Sequence, residues 1–400
     1  MKTILQIIPQ LNTGGAEIST LEITQALVQA GARALVASEG GRLQNEIAAL
    51  GGELVIMPVA TKNPVQIWQN TNALKHLIKK ENIALVHARS RAPAWSAKWA
   101  AQQTHTPFVT TYHGAYSNKG PFKNLYNSIM ARGDCVIANS EFTADLVRSQ
   151  HKIDENKLRV IHRGVDTEKF DRNTISQQRL AHLREQWDID QNQKIVLNAA
   201  RLTRWKGQHT LIEAVHHLAQ DMPLEQTVFI LAGDAQGRVD YENSLKQRIQ
   251  DYELQNHIRL VGHCDDIAAA CALADIAVVS STKPEAFGRA AVEAQALGCP
   301  VVVTEIGATA ETVLSFPHVS KEKRTGWRIP PDDSSALYHA LKEALGLSEA
   351  ERNILGANAI AHVRQKFTLK QMQYKTLRSY DELLETHFAT YFEDFYQAEI

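Results

Sequence analysis

The stretch E-A-F-G-R-A-A-V-E, which runs from Glu285 to Glu293, decides how the chain is interpreted. It follows a strand-like run over 275–281, opens a helix-like segment, and sets two carboxylates eight positions apart around a Phe-Gly step. Gly288 lets the backbone approach a ligand, and the N–H groups of an opening helix suit a phosphate. The pattern fits a nucleotide sugar, with Glu285 accepting hydrogen bonds from the sugar hydroxyls and Glu293 from the ribose hydroxyls. The alternative is an amphipathic helix whose glutamates face water.

The composition limits the classes of protein to which the chain belongs. Its 400 residues exceed what a single core usually organises, so two domains are expected. The net charge of -1 gives no support for binding nucleic acid through bulk charge. No apolar run approaches the roughly 20 residues that span a bilayer, and the short run over 4–9 indicates a first strand rather than a signal peptide. The cysteines form no C-x-x-C pair and no zinc-ligand spacing, which favours reduced thiols in a cytoplasmic protein. They are Cys135, Cys264, Cys271 and Cys299.

Short apolar runs alternate with longer helical patterns from end to end, which is typical of parallel sheets wrapped by helices. The predicted strands are 3–9, 33–38, 53–57, 85–88, 108–112, 135–138 and 159–161, then 194–199, 227–232, 258–261, 275–281, 300–304 and 326–329. The polar stretch 166–193 between the two sets is interpreted as an interdomain connection. We therefore expect an α/β chain of two doubly wound domains, with the carboxyl ends of both sheets facing a central cleft. The domains are predicted at 1–168 and 169–375, and 376–400 is predicted to be a helical tail that packs back on the N-terminal domain.

A cationic loop follows the first strand of the second predicted domain. It reads A-A-R-L-T-R-W-K-G from Ala199 to Gly207. Arg201 and Lys206 together would neutralise a diphosphate, and a diphosphate leaving group gains negative charge as its bond to the sugar breaks. The alternative is a solvated basic loop.

Three further sets of residues are weaker candidates. The loop N-T-G-G-A-E over 12–17 places Gly14 and Gly15 where backbone N–H groups approach a phosphate or a hydroxyl, although it lacks the dinucleotide spacing G-x-G-x-x-G. His113 ends an apolar strand and is predicted to touch the transferred sugar; a lone histidine there is more often structural. Gly262 and His263 follow the strand 258–261 and offer backbone contacts to a base, or they form an ordinary turn.

Several other motifs are absent or misplaced. Asp188-Ile189-Asp190 has the D-x-D form of a metal-bound nucleotide-sugar site, but it lies in the polar stretch before a strand rather than at a strand end. The chain has no H-E-x-x-H, G-x-S-x-G or G-K-[ST] motif, which argues against the commonest zinc protease, serine hydrolase and nucleotide triphosphatase classes.

One segment is strongly biased in charge. Between Asn82 and Gly133 there is no Asp or Glu. The basic and aromatic residues in that segment are Arg89, Arg91, Trp95, Lys98, Trp99, Lys119, Phe122, Lys123, Tyr126 and Arg132. This basic and aromatic face, 89–132, would rest on anionic lipid headgroups or hold a phosphorylated lipid-sugar acceptor. Plain solvated helix faces are the alternative.

Taken together, these motifs resemble the retaining GT-B glycosyltransferases of family GT4. The resemblance rests on N-T-G-G-A-E, His113, Arg201 with Lys206, the 285–293 motif and the following G-C-P-V-V-V-T-E-I-G over 298–307, in that order along the whole chain. Within the family, A-R-S-R-A-P-A-W-S over 88–96 and T-T-Y-H-G-A-Y over 110–116 look most like bacterial lipopolysaccharide core mannosyltransferases.

The resemblance implies a GT-B fold of two Rossmann-like domains, no bound metal or other cofactor, and a role for each matching position. Arg201 and Lys206 would bind the diphosphate, and the backbone at Phe287 and Gly288 would bind a phosphate. The other implied contacts are Glu285 and His113 to the sugar, Glu293 to the ribose, and Gly14 and Gly15 to the donor phosphate or the acceptor.

The chain also departs from the family pattern. Ala286 and Arg289 stand where members often carry Gly and an aliphatic residue, and H-R-G-V-D over 162–166 replaces the common P-N-G-V-D. An arginine in the phosphate-binding turn would add a contact or change the choice of sugar.

The motifs and this resemblance together imply a hexosyltransferase, and the resemblance implies that it moves mannose from GDP-mannose to a lipopolysaccharide core or other glycolipid acceptor. We expect it in the cytoplasm, with peripheral contact to the inner membrane through the face 89–132 and no nucleic-acid partner. No carboxylate of the first domain is well placed as a nucleophile, which favours attack on the face of the leaving group. The rivals are a nucleotide-sugar epimerase or hydrolase on the same fold and a non-catalytic sugar-binding scaffold protein.

Overall fold

Two parallel sheets, each with its own helices, divide the chain into two units. The computed structural model describes residues 1–12, 14–114, 116 and 120–398. Unit 1 comprises Met1–Gly164 and Leu369–Ile400, and unit 2 comprises Val165–Thr368. Thr13, Ala115 and Lys119, which belong to the motifs above, lie outside the described residues.

The divisions differ by a few residues from the predicted 168 and 375. Residues 165–168 belong to unit 2, because the Val165 N–H donates to the Phe367 carbonyl at 2.8 Å and Val165 bridges to Thr368. Residues 369–375 belong to unit 1, because they begin a helix that packs as a whole on that unit.

Unit 1 is built on a parallel sheet in the order β3-β2-β1-β4-β5-β6-β7. Its strands are β1 Thr3–Ile7, β2 Arg33–Ser38, β3 Glu53–Ile56, β4 Ile83–Ala88, β5 Phe108–Tyr112, β6 Cys135–Ala138 and β7 Leu158–Val160. Its first helices are α1 Gly15–Gln29, α2 Gln44–Ala49, α3 Pro64–Lys80, α4 Arg91–Thr104, α5 Pro121–Ser128 and α6 Glu141–Gln150. Every residue of β1 and β5 is buried, as expected for strands covered on both faces.

Two carboxyl-terminal helices complete unit 1. They are α15 Leu369–Leu384 and α16 Phe388–Ala398. Leu377, Tyr380 and Phe392 pack into a core cluster with Ile4 of β1 and Leu27 of α1. Inside it, the Tyr380 hydroxyl lies 2.6 Å from His87 Nδ1. The end of the chain is therefore part of the core of unit 1.

Unit 2 is built on a parallel sheet in the order β10-β9-β8-β11-β12-β13. Its strands are β8 Lys194–Ala199, β9 Thr227–Ala232, β10 Ile258–Gly262, β11 Ile276–Val279, β12 Val301–Thr304 and β13 Gly326–Ile329. Its helices are α7 Gln177–Gln186, α8 Gln208–Asp221, α9 Val239–Asp251, α10 Ile267–Leu273, α11 Arg289–Ala296, α12 Thr309–Thr312, α13 Ser334–Leu345 and α14 Glu349–Lys366. The predicted α/β architecture is confirmed, and all thirteen predicted strands are present within two residues at each end.

The interpretation of 166–193 as a connection is wrong. The segment contains α7, which belongs to unit 2. Phe170, Leu183 and Trp187 are buried in the core of that unit, and Arg179 pairs with Asp266 at 2.7 Å. This helix was not predicted because its few apolar residues stand among many polar ones and give no clear helical pattern.

Among the helices that the structure describes, none has both the length and the apolar character required to cross a bilayer.

Candidate active site

In unit 2 the strand order reverses between the neighbouring strands β8 and β11. In open α/β sheets, ligands bind at the carboxyl ends of the strands where the order reverses. The loop after β8 carries Arg201 and Lys206, and the loop after β11 carries Glu285. The topology therefore brings together two loops that are far apart in the sequence.

Lys206 and Glu285 form the centre of this edge. Lys206 Nζ lies 2.5 Å from Glu285 Oε1, and the two side chains are only 18% and 12% exposed. Ser281 Oγ donates to the same oxygen at 2.5 Å. The Lys206 ammonium also lies 4.3 Å from the centre of the Trp205 ring. The carboxylate is thus fixed by two donors, and the ammonium, which has three N–H donors, keeps donors for an anion.

The backbone of Glu285 is fixed by the motif over 298–307. Glu285 forms a parallel bridge with Gly307, and its carbonyl accepts from the Ala308 N–H at 2.9 Å. A Cβ on Gly307 would lie 2.2 Å from the Glu285 carbonyl oxygen, and the φ of this residue is +78°. Only glycine fits this close approach, which explains the last residue of the motif.

The helix α11 begins directly after the Phe-Gly step. Gly288 is its N-cap, and the Phe287 side chain is buried against Phe367 with ring centres 5.5 Å apart. On the first turns, Arg289 Nε lies 3.1 Å from Glu293 Oε1, with side-chain exposures of 21% and 15%. Arg289, the departure from the family pattern, is thus the partner of the predicted ribose-binding carboxylate. The backbone contacts predicted for Phe287 and Gly288 stay predictions.

The remaining predicted residues of unit 2 have contacts other than with the Lys206–Glu285 pair. The Arg201 guanidinium is exposed and reaches Gln236 Oε1 at 3.4 Å. Gly262 ends the edge strand β10, which β9 separates from β8. His263 Nε2 lies 3.1 Å from Asp265 Oδ1. Their predicted contacts with the diphosphate and the base stay predictions.

The sequence reasoning missed three polar side chains at this edge. One is Ser281, which holds Glu285. The others are Thr203 and Asp234, whose Oγ1 and Oδ1 atoms are buried without a hydrogen-bond partner among the described residues. The Leu202 N–H donates to the Asp234 carbonyl at 3.0 Å, so the loops after β8 and β9 are joined there. A polar residue directly after a buried strand, such as Asp234 after Gly233, was the available signal.

In unit 1, the strand order reverses between β1 and β4. Gly14 is the N-cap of α1, Gly15 is the first residue of that helix, and His113 follows β5. His113 Nδ1 lies 2.7 Å from Arg163 Nη2, and His113 Nε2 is buried without a partner among the described residues. Burial, and then the charges of Arg163 and Arg89, hold the pKa of His113 well below its usual value. The structure therefore brings His113 and Gly15 to one edge, and Arg163 is a neighbour that sequence reasoning did not identify.

The basic and aromatic face borders a cavity of about 570 Å³ in unit 1. The cavity is lined by Lys62, Ser90, Arg91, Ala92, Phe122, Lys123 and Tyr126. The Arg91 guanidinium lies 3.9 Å from the centre of the Tyr116 ring and donates to Asn127 Oδ1 at 2.7 Å. Phe122 is 88% exposed. None of the described residues that line this cavity carries a carboxylate, which makes it suitable for an anion.

The chain is similar to known glycosyltransferases over most of its length. Residues 13–169 match the model described as "Glycosyltransferase Family 4", and residues 181–362 match "Glycosyl transferases group 1". A glycosyltransferase structure from Rickettsia africae is 34% identical with a TM-score of 0.86, covering 96% of this chain and 99% of its own. Anabaena HepE in complex with UDP and glucose is 24% identical with a TM-score of 0.81, covering 95% and 100%. The D-inositol 3-phosphate glycosyltransferase of Corynebacterium urealyticum is 24% identical over 84% of this chain and 83% of its own. With these matches and its two parallel sheets, the chain belongs to the GT4-like glycosyltransferases of the GT-B fold.

Proposed function

We propose that the protein is a retaining hexosyltransferase that takes its sugar from a nucleoside diphosphate sugar. The observation that carries this proposal is the buried Lys206–Glu285 pair, placed where the strand order of unit 2 reverses. Lys206 binds the diphosphate and Glu285 accepts hydrogen bonds from the sugar hydroxyls. Arg201 is the second cation, the amide end of α11 at Gly288 receives a phosphate, and Glu293 binds the ribose.

Each proposed group acts on one part of the reaction. The bond between the anomeric carbon and the diphosphate oxygen breaks, and the acceptor oxygen bonds to the same face of that carbon. The acceptor proton passes to the departing diphosphate oxygen, so the configuration is retained. Lys206 and Arg201 stabilise the charge that develops on the leaving group without a metal ion. His113 donates a hydrogen bond to an oxygen of the sugar.

For the donor, we propose GDP-mannose. The support is the similarity of 88–96 and 110–116 to bacterial lipopolysaccharide core mannosyltransferases. UDP-glucose is the second candidate, because Anabaena HepE is a structural neighbour in complex with UDP and glucose.

For the acceptor, we propose a lipopolysaccharide core or other glycolipid at the cytoplasmic face of the inner membrane. The support is the cavity with Lys62, Arg91 and Lys123, bordered by the exposed Phe122. Cationic and aromatic side chains in this arrangement suit the interface of an anionic membrane.

The test is a panel of nucleotide sugars, scored by thermal stabilisation of the protein and by transfer to glycolipid extracts. We expect stabilisation and transfer with GDP-mannose; a response to UDP donors alone would overturn the donor assignment. Donor turnover of equal rate with and without acceptor would indicate a hydrolase or epimerase, and binding without turnover would indicate a scaffold.

The matched variants are Lys206→Ala and, on an exposed face of α9, Lys246→Ala. Loss of a charged donor to the transition state lowers kcat by about 10²- to 10³-fold. We expect this fall in Lys206→Ala and none in Lys246→Ala. Unaltered activity in Lys206→Ala would refute the catalytic assignment.

A further inference from the structure

Arg163 lies buried at the carboxyl edge of unit 1, three positions after β7 ends at Val160. Its side chain reaches from the segment after that strand to the start of α1, and the residue is 8% exposed. Arg163 Nη2 lies 2.7 Å from His113 Nδ1. A Cβ on Gly15 would lie 1.8 Å from Arg163 Nη1. The guanidinium therefore lies between the imidazole of His113 and the backbone of Gly15, in space that any side chain at position 15 would occupy.

The contact with Arg163 fixes the tautomer of His113. A guanidinium has only N–H donors and keeps its proton in proteins, so His113 Nδ1 must be the acceptor of this hydrogen bond. A neutral imidazole then carries its proton on Nε2. Nε2 is buried and has no partner among the described residues. The same region of unit 1 has a small cavity lined by His113, Arg163, Ser19, Thr111 and Asn139, among others.

The surrounding charges also favour the neutral ring. Arg89 lies near His113, and its guanidinium donates to Gln6 Oε1 at 3.0 Å. The neighbouring ring of His87, whose two nitrogens are bonded to Tyr380 and Thr111, carries no negative charge that would stabilise a protonated His113. The other groups that act on His113 are thus cationic or neutral, and burial adds to their effect on its pKa.

We propose that Arg163 is a positioning residue that holds His113 as a neutral hydrogen-bond donor, with Nε2–H directed at an oxygen of the transferred sugar. In this role His113 orients the sugar and moves no proton. The identity of the oxygen rests on the function proposed above, whereas the tautomer is a property of the free protein. Arg163 replaces the asparagine of the common P-N-G-V-D pattern, so the device is particular to chains with arginine at this position.

The first experiment is ¹⁵N NMR of histidine side chains in the intact protein, with His113→Gln used to assign the signals. We expect His113 to show an unprotonated Nδ1 and a protonated Nε2 without any ligand. In Arg163→Met we expect mixed tautomers and a ring that takes up a proton on acidification at higher pH than in the wild type, because a cation has been removed. A wild-type ring that is protonated on Nδ1 would overturn the proposal, whatever the activity of the protein.

The second experiment is a double-mutant cycle on sugar transfer. A misplaced group at the reacting centre costs about 10²-fold in kcat, and we expect a loss of that order in Arg163→Met with little change in the KM of the donor. Glutamine places an N–H donor near the position of Nε2 but has no ring tautomer to set. Arg163→Met should therefore cause little further loss in a His113→Gln background, and Arg163→Lys should restore part of the activity.

The control is Arg159→Met, which removes an arginine of β7 that pairs with Glu382 on α15 and lies outside this cluster. It should leave the kinetics and the His113 signals unchanged. Equal losses from Arg163→Met in both backgrounds would show a merely structural role. If the wild type transfers no sugar from any donor, the proposed function fails, and the NMR result still decides the role of Arg163.

Discussion

Glu285 and Glu293 lie on opposite sides of the Phe-Gly step, and their different partners predict different roles. Glu285 is held by Lys206 and Ser281, whereas Glu293 is held by Arg289. We expect Glu285→Gln to lower kcat by about 10²-fold, because the carboxylate that fixes the Lys206 ammonium and is proposed to accept from the sugar hydroxyls is lost. We expect Glu293→Gln to weaken binding of the nucleoside diphosphate with a smaller effect on kcat. Kinetics and calorimetry on both variants check this separation, and identical profiles would contradict it.

A second single residue, Arg289, stands where family members often carry an aliphatic side chain. It fixes the Glu293 carboxylate and lies on the first turn of α11, where a phosphate is proposed to bind. We expect Arg289→Leu to lower the binding affinity for the nucleoside diphosphate by about 10-fold, which is about 1.4 kcal/mol of binding free energy. The affinity for the parent nucleoside should fall less, because the nucleoside has no phosphates. Lys246→Ala is again the control, and tighter binding by Arg289→Leu would show that the arginine competes with the ribose for Glu293.

At the scale of elements, α15 is fixed to the sheet of unit 1 by a buried polar contact. The Tyr380 hydroxyl bonds to His87 Nδ1, while His87 Nε2 lies 2.7 Å from Thr111 Oγ1. Tyr380→Phe leaves a buried ring nitrogen without a partner, which costs about 1–3 kcal/mol of unfolding free energy. Urea unfolding checks this, with Tyr391→Phe as the control because Tyr391 on α16 is 55% exposed. Equal stability of the two variants would mean that the hydroxyl contributes nothing.

The strands and helices also differ in how well the sequence predicts them. The strands are predictable because a parallel strand is buried on both faces and is apolar along its length. The helix α7 is not, because only a few of its residues and neighbours, such as Leu183 and Trp187, are buried. Within the site, Lys206 and Glu285 are predictable because each follows a recognisable strand. Arg163 and Ser281 are not, because their importance depends on contacts that only the folded chain establishes.

At the scale of the whole molecule, buried histidines make stability depend on pH. Burial holds the pKa values of His87 and His113 well below the usual range, with further contributions from Arg89 to both and from Arg163 to His113. In unit 2, burial also lowers the pKa values of His209 and His362. Below about pH 6.5 the unfolded chain binds protons at these histidines more fully than the folded chain does, because the folded-state pKa values are lower. Acidification therefore favours unfolding.

The direction and size of this effect follow from proton linkage. Above about pH 7 these histidines are largely unprotonated in both the folded and the unfolded chain, so they add little to the change of unfolding free energy with pH. Between about pH 6.5 and 5 each such histidine lowers the unfolding free energy by up to about 1.4 kcal/mol per pH unit. We expect the unfolding temperature to fall over this range and His113→Gln to reduce the slope, since one proton-binding site is removed from the unfolded state. His76→Gln, on the exposed face of α3, is the control and should keep the wild-type slope. Scanning calorimetry across this pH range measures the effect. An unfolding temperature that does not change with pH would contradict the prediction, because His87 and His113 would then have to be protonated in the folded protein. Their burial and the neighbouring arginines disfavour that state.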